Sequence, residues 1–188
     1  MHNSINDISV VSKILRGDQA AFKLLYNKYS KVYLLICLRY VKSRSDAEDM
    51  LQESWIKIYN DLKQFNPSKG KFIHWSKRIV INTCLQKLRK NSALDSFENI
   101  FEIGLNISTT NNAIDKLSLQ ELTKVIQSLP KGYRTVFNMY VIDGYSHKEI
   151  STILEISEST SKTQLLKAKR FLKGHITSPQ FDAVNSYA

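Results

Sequence analysis

Helix breakers are scarce in this sequence: three prolines and six glycines punctuate 188 residues. A many-turned β fold needs more of both, so long uninterrupted helices are expected. Apolar runs are short as well. No stretch reaches the roughly 18 apolar residues that a membrane-spanning helix requires, and no direct membrane insertion is expected. The first residues, Met1 to Asp7, are polar and lack the apolar run of a signal peptide. Only two cysteines are present. Cys37 and Cys84 both sit in apolar helical patterns, which argues for core thiols in a reducing cytoplasm and against a disulfide framework. The four histidines, His2, His74, His147 and His175, have no metal-ligand spacing. No paired ligand motif, phosphate-cradling glycine loop or nucleophile arrangement stands out. No catalytic residue, metal or cofactor is therefore expected.

Positive charge is what the chain has in excess. The net formal charge is +10, with 43% hydrophobic residues, a fraction that suits a globular protein. The excess is uneven. Residues 1–90 hold 17 basic against 7 acidic side chains, residues 91–118 are net −3, and residues 119–173 are net +4. Such a distribution fits a polyanionic partner, nucleic acid first.

The same division marks the domains. Asn106 to Asn112 is poor in helix formers and reads as linker, preceded by an apolar island of Phe97, Ile100, Phe101, Ile103, Leu105 and Ile107. The expected fold is all-α: two small helical domains, 1–92 and 118–175, joined by a flexible linker, 93–117, with a tail, 176–188. In the first domain, Asp7 is expected to cap a short helix that stops at Gly17, and Asp18 a long one. Ser45-Asp46-Ala47-Glu48 reads as a capping box opening a third helix, whose buried stripe is Ala47, Leu51, Trp55, Ile58 and Leu62. After a loop, Asn66 to Gly70, a fourth helix runs from about Lys71 to Lys90. In the second domain, a helix ended by Pro130 precedes another from Gly132 to Ile142. A capping box at Ser146-His147-Lys148-Glu149 opens a short helix to Leu154, and a longer one runs to about Lys173.

Three constellations carry function. The last two helices have the layout of a helix-turn-helix, whose second helix enters the major groove. Lys162, Thr163, Gln164, Lys167, Lys169 and Arg170 supply donors suited to base edges and phosphates. A plain helical hairpin with a solvated basic face has the same pattern, so this motif says DNA binding and little more. The fourth helix has six basic residues and no acidic one between Lys71 and Leu94. Lys71, His74, Arg78, Asn82 and Arg89 fall close to one face, with Phe72 and Trp75 interleaved. Cations hold a phosphate backbone while aromatic faces accept unstacked bases. For Phe72, a place in the core is an equal alternative. The third helix carries the opposite sign: Asp49, Gln52 and Glu53 share a side away from the apolar stripe. On a basic domain that face repels DNA and suits a basic protein surface; a merely solvated face is the plain alternative.

These segments resemble a known family. Asp46-Ala47-Glu48-Asp49-Met50-Leu51-Gln52-Glu53-Ser54-Trp55 resembles the polymerase-docking segment of extracytoplasmic-function (ECF) sigma factors. Phe72 and Trp75, followed by Lys77-Arg78-Ile79-Val80-Ile81-Asn82, resemble their promoter-melting and minus-ten segment. Leu129 to Phe137, Gly144 to Ile150 and Ile156 to Thr160 resemble their minus-thirty-five domain. The likeness spans residues 7–173 in the family's order. It implies a cytoplasmic, non-enzymatic subunit that binds core RNA polymerase and promoter DNA and is held by an anti-sigma factor. Asp49, Gln52 and Glu53 would then meet the polymerase. Phe72, His74, Trp75, Lys77, Arg78 and Asn82 would meet the minus-ten element, and Lys162, Thr163, Gln164, Leu166 and Lys167 the minus-thirty-five element. Three departures stand out. Glu155 replaces a usual turn glycine, Ser161 a usual buried valine, and Lys162, Lys167 and Lys169 replace frequent arginines. The alternative function is a stand-alone helix-turn-helix regulator, which has no use for the acidic face or the aromatic-basic fourth helix.

Overall fold

The computed structural model describes the backbone of residues 6–94 and 114–176, and the side chains of residues 6–90 and 121–173. The linker core and the tail lie outside the described residues. Among the described residues every regular element is helical, as expected. In order these are α1 (Asp7–Leu15), α2 (Gln19–Tyr40), α3 (Arg44–Asn60), α4 (Phe72–Leu94), α5 (Ile114–Ser128), α6 (Lys131–Phe137), α7 (His147–Leu154) and α8 (Glu158–Ile176). The chain forms two compact units, Met1–Asn91 and Ser92–Ala188. Helix extends into both ends of the segment read as linker, since α4 reaches Leu94 and α5 already begins at Ile114.

Two helix starts in the first unit differ from the sequence expectation. The cap of α1 is Asn6, whose side chain accepts the Ile8 N–H at 3.1 Å. Asp7 is drawn away to α2, where it pairs with Lys28 at 2.6 Å and accepts the Tyr29 hydroxyl at 2.6 Å. The α3 cap is Ser43, which accepts the Asp46 N–H at 3.2 Å. A box at Ser45 needs the Glu48 carboxylate to turn back to its backbone, but that carboxylate pairs with Arg44 at 2.8 Å. Asp18 caps α2 as expected, accepting the Ala21 N–H at 3.1 Å.

A continuous run of aromatic rings crosses the core of this unit and reaches the surface at Tyr59. Tyr59, Phe22, Trp55, Tyr33, Tyr29, Phe72 and Trp75 follow one another at centroid separations of 5.2–5.7 Å. Leu25, Met50, Ile58 and Leu62 fill the space around them. Buried hydroxyls in this core are satisfied locally. Tyr33 bonds Ser76, Ser76 also donates to the Phe72 carbonyl, and Ser54 donates to the Met50 carbonyl. The Trp55 indole N–H donates to Ser30 at 3.1 Å. Burial pushes the Tyr33 phenol above its usual range, and burial with the Asp7 carboxylate does the same for Tyr29. Cys37 and Cys84 are both buried, with 3.8 Å between their sulfurs.

The second unit is smaller in its apolar content and richer in buried polar groups. Ile126, Leu129, Val136, Met139, Ile150, Leu165 and Ala168 form its core. Arg134 is buried among them and donates to the Gln127 and Leu129 carbonyls at 3.0 and 3.3 Å. It thereby satisfies acceptors at the end of α5 that helix geometry leaves open. Burial lowers its pKa to about 10, so it stays charged at neutral pH. α6 runs on into a π turn, Asn138–Ile142. The capping box of α7 forms as expected: Ser146 accepts the Glu149 N–H at 3.2 Å, and the Ser146 N–H donates to Glu149 at 2.8 Å.

Candidate nucleic-acid interface

Helices α7 and α8 form the helix-turn-helix. Between them Glu155 adopts a left-handed conformation (φ +56°, ψ +42°), and its N–H and that of Ile156 both donate to Ser151. A side chain with a Cβ therefore occupies a position that favours glycine. The Ser157 hydroxyl then caps the start of α8, accepting the Thr160 N–H at 3.0 Å.

The period of α8 separates its two sides. Ser161, Leu165 and Ala168 are buried, while Lys162, Thr163, Leu166, Lys167, Lys169 and Arg170 are exposed. Leu166 is half exposed, at 50%, in the middle of the basic side. Gln164 is the exception among the expected contacts. It is only partly exposed, and its amide lies against Gly132, where an added Cβ would meet it at 3.3 Å. Lys162 is 3.9 Å from Glu158, one turn back and itself exposed.

In the first unit α4 places its expected residues in two groups. His74, Arg78, Asn82 and Arg89 are exposed on successive turns, with Gln86 beside them, and Lys71 is exposed just before the helix. Lys77 and Trp75 are half-buried. Trp75 leans on Phe65 and Phe72, which accounts for its half-burial. Phe72 is a correction. It is 1% exposed and packs against Tyr29, Phe65 and Trp75, so it belongs to the core and offers no open face to a base. Its place on the opposite side of the helix from His74 and Arg78 is the geometric reason.

The loop before α4 contains a short 3-10 turn, Pro67–Lys69, capped by Asn66. Gly70 follows at φ +147°, which only glycine adopts readily. This loop walls a cleft of about 530 Å³ whose other sides are Asp7, Tyr29, Phe65 and Ile73. The sequence marked Asn66 to Gly70 only as a loop and gave no sign of the α1 side. On that side Asp7 serves an interhelical contact and not a cap.

The acidic side of α3 is less naked than its sequence suggests. Asp49 lies 3.4 Å from Lys87 of α4, and Glu53 pairs with Lys57 at 2.8 Å. Lys57 also donates to Gln86 at 2.9 Å. The bond from Lys57 holds the Glu53 carboxyl below its usual range. Exposed pairs of this kind contribute about 0–1 kcal/mol, so an incoming cation can replace either lysine. Gln52 is exposed, and Ile56, one turn beyond Gln52 and two beyond Asp49, is 62% exposed. Ile56 was not expected at this face, although its spacing from Asp49 and Gln52 marks it.

Comparison with known proteins decides what this arrangement belongs to. Residues 25–94 match the family described as sigma-70 region 2, and residues 119–172 match sigma-70, region 4. The chain is 29% identical to the ECF RNA polymerase sigma-E factor of Salmonella typhimurium, across 94% of this chain and 97% of that one. It is 25% identical to the sigma-E factor of Haemophilus influenzae, across 94% and 98%. The chain belongs to the sigma-70 family, in its ECF branch. This ECF sigma factor also shares its fold with a solved sigma factor, RpoE of Bartonella quintana, crystallised with the anti-sigma factor NepR. There the TM-score is 0.52 at 18% identity, over 84% of this chain and 98% of that one. As an alternative sigma factor it directs transcription initiation. No helix among its described residues is long and apolar enough to cross a membrane.

Proposed function

We propose that this sigma factor joins core RNA polymerase through α3, opens the minus-ten element with α4 and reads upstream duplex with α8. It works in the cytoplasm and catalyses no reaction of its own. The observation that carries this reading is α4. His74, Arg78, Asn82 and Arg89 are exposed on successive turns of a helix without acidic residues, whose start lies beside the cleft. Extruding a base costs a few kcal/mol, which stacking and hydrogen bonds in a pocket must return. The aromatic floor of Tyr29 and Phe65 and the rim of Ser68 and Lys69 supply both kinds of contact. Asn82 donates and accepts at a base edge, Arg78 holds the adjacent phosphate, and Trp75 borders them. On α8, Lys162, Thr163, Leu166 and Lys167 face the groove, and Gln164 reaches it from the flank.

Asn82→Ala and Arg78→Ala should initiate poorly on duplex promoters. Part of the Asn82→Ala defect should persist on a pre-melted bubble, where the base contact is still missing. Normal permanganate reactivity of promoter thymines in both variants removes α4 from melting.

The docking role of α3 rests on Asp49, Gln52 and Glu53, with Ile56 as an apolar centre. Steering between opposite charges speeds encounter, and an apolar contact slows release. Asp49→Ala combined with Glu53→Lys should fold normally and keep upstream-duplex binding, yet fail to join core polymerase by size exclusion. Assembly at wild-type affinity refutes this face. An anti-sigma factor completes the partner set, since the similar Bartonella protein was crystallised with one.

A further inference from the structure

Ser161 is fully buried at the start of α8, in a position where an apolar side chain would need no partner. A buried hydroxyl does need one. It has His147, from the first turn of α7, whose Nδ1 lies 2.9 Å from the Ser161 oxygen. The same imidazole stacks on Tyr140 of the π turn, with centroids 4.4 Å apart and planes 21° from parallel. One ring thus ties three elements together: the π turn, α7 and the first turn of α8. Lys162, the next residue after Ser161, opens the exposed basic side of α8.

We propose that His147 is a positioning residue for duplex reading, which holds the first turn of α8 through the Ser161 hydroxyl and holds it best while neutral. The proposal rests on the duplex-reading role of α8 given above. In the tautomer that carries its proton on Nε2, the one this proposal assigns, a neutral imidazole accepts the Ser161 proton at Nδ1. A protonated ring has two donors and no acceptor, so the buried hydroxyl loses the group it donates to. The charged groups around the ring weigh the same way. On α8, Lys162 and Lys169 oppose a second positive charge and Glu158 favours one. On α7, Glu149 is already engaged by the Ser146 cap, and on the π turn the neighbour is the neutral Tyr140 ring. Burial first, and then Lys162, hold the imidazole pKa below its usual 6.5. A histidine in the unfolded chain therefore takes up its proton at higher pH than His147 does in the fold. The tie is at full strength above about pH 6.5 and weakens as the pH falls below that value.

The test uses full-length protein and a duplex from a promoter mapped by its transcript starts. The reading is the ratio of affinity for that duplex to affinity for a scrambled one, from pH 7.5 to 5.5 at fixed ionic strength. The ratio cancels the general gain in DNA affinity that any protonated histidine brings. For the parent protein it should fall about three- to tenfold across this range, the worth of one buried hydrogen bond. His147→Ala should lose a similar factor at pH 7.5 and show no further fall. His147→Asn places an amide atom where Nδ1 stood and does not titrate. It should recover part of the neutral-pH ratio with a flat profile. Ser161→Val, which needs no partner, should also be flat, and it keeps the test open if His147→Ala fails to fold. A flat profile in the parent protein overturns the proposal, as does a Ser161→Val profile that falls in parallel with it. Lys167→Ala is the separate arm. If it leaves promoter affinity unchanged, the reading role of α8 fails, and the His147 proposal falls with it for a different reason.

Discussion

The two units solve the same problem with different materials. The first holds its helices together by a run of stacked and edge-on aromatic rings, and its buried polar side chains are hydroxyls that bond to their own helix or to one neighbour. The second has few rings in its core. It buries Arg134, Thr135, Asn138 and Ser161, and uses hydrogen bonds to fix helix ends. Interlocked rings pack closely, so a large apolar core resists shifts without needing direction from any single bond. Hydrogen bonds are directional and costly when broken, so a small core gains orientation from them. The difference matches the proposed tasks. A unit that traps an extruded base needs a firm floor under a cleft, and a unit that reads duplex needs one helix held at a set angle.

The comparison breaks first at Trp55. Its ring touches Phe22, Tyr26 and Tyr33, and it is 4% exposed. Trp55→Ala should destabilise the first unit by about 3–5 kcal/mol, enough to unfold it near physiological temperature. If the units are held separately, thermal melting should then show two transitions, the upper one unchanged from the parent. Loss of upstream-duplex binding in this variant at 25 °C would falsify their independence.

The matching change in the second unit is Arg134→Met, which keeps much of the volume and removes the donors. One buried and one partly buried carbonyl lose a charged partner, and the expected cost is about 2–3 kcal/mol by denaturant titration. Tyr33→Phe in the first unit provides the contrast. Ser76 still donates to the Phe72 carbonyl, so the cost should stay near 1 kcal/mol or less. Equal costs for the two variants erase the distinction between a packed and a bonded core.

A third pair of variants concerns the reading surface. Lys162→Ala and Lys167→Ala should each weaken upstream-duplex binding by about 1 kcal/mol and lower its salt slope by about 1, as loss of one phosphate contact does. Neither residue is buried, so melting temperatures should not move. Unchanged affinity and slope in both takes these lysines out of the interface.

Much of this was legible beforehand, for reasons that differ by residue. Helical spacing marked Trp55 and Ile58 of the α3 stripe because burial follows the 3.6-residue period. Exposure of Arg78 and Asn82 followed from the same count. Caps were read less well. Asn6 and Asp7 are both good capping residues, and only the neighbouring α2, with Lys28 and Tyr29, decides between them. The Ser45 box failed for a similar cause, because Arg44 claimed the Glu48 carboxylate. Phe72 was balanced between core and surface, and the rings of Tyr29 and Phe65, distant in sequence, settled it. The pairing of Asp49 with Lys87 and of Ser161 with His147 had no sequence signal, since each joins two helices whose rotation a single sequence does not specify.

The smallest expected effect lies at the turn between α7 and α8, where the unit that depends most on angle carries a strained residue. Glu155 has φ +56° and ψ +42°. A left-handed backbone costs a residue with a Cβ about 1–2 kcal/mol relative to glycine. Glycine returns part of that gain, because its unfolded chain has more conformations to lose. Glu155→Gly should therefore stabilise the second unit by a net of about 0.5–1 kcal/mol. Removing the carboxylate also takes one negative charge from the turn before α8, which under the proposed reading role of α8 should raise duplex affinity slightly and most at low salt. Ala at the same position separates the two contributions. Glu155→Ala removes the charge and keeps the strain, so it should share the affinity gain without the stability gain. A Glu155→Gly variant no more stable than Glu155→Ala means that the turn relaxes without glycine. In that case the angle between α7 and α8 is set by the His147 and Ser161 contact and by the apolar side of α8 alone.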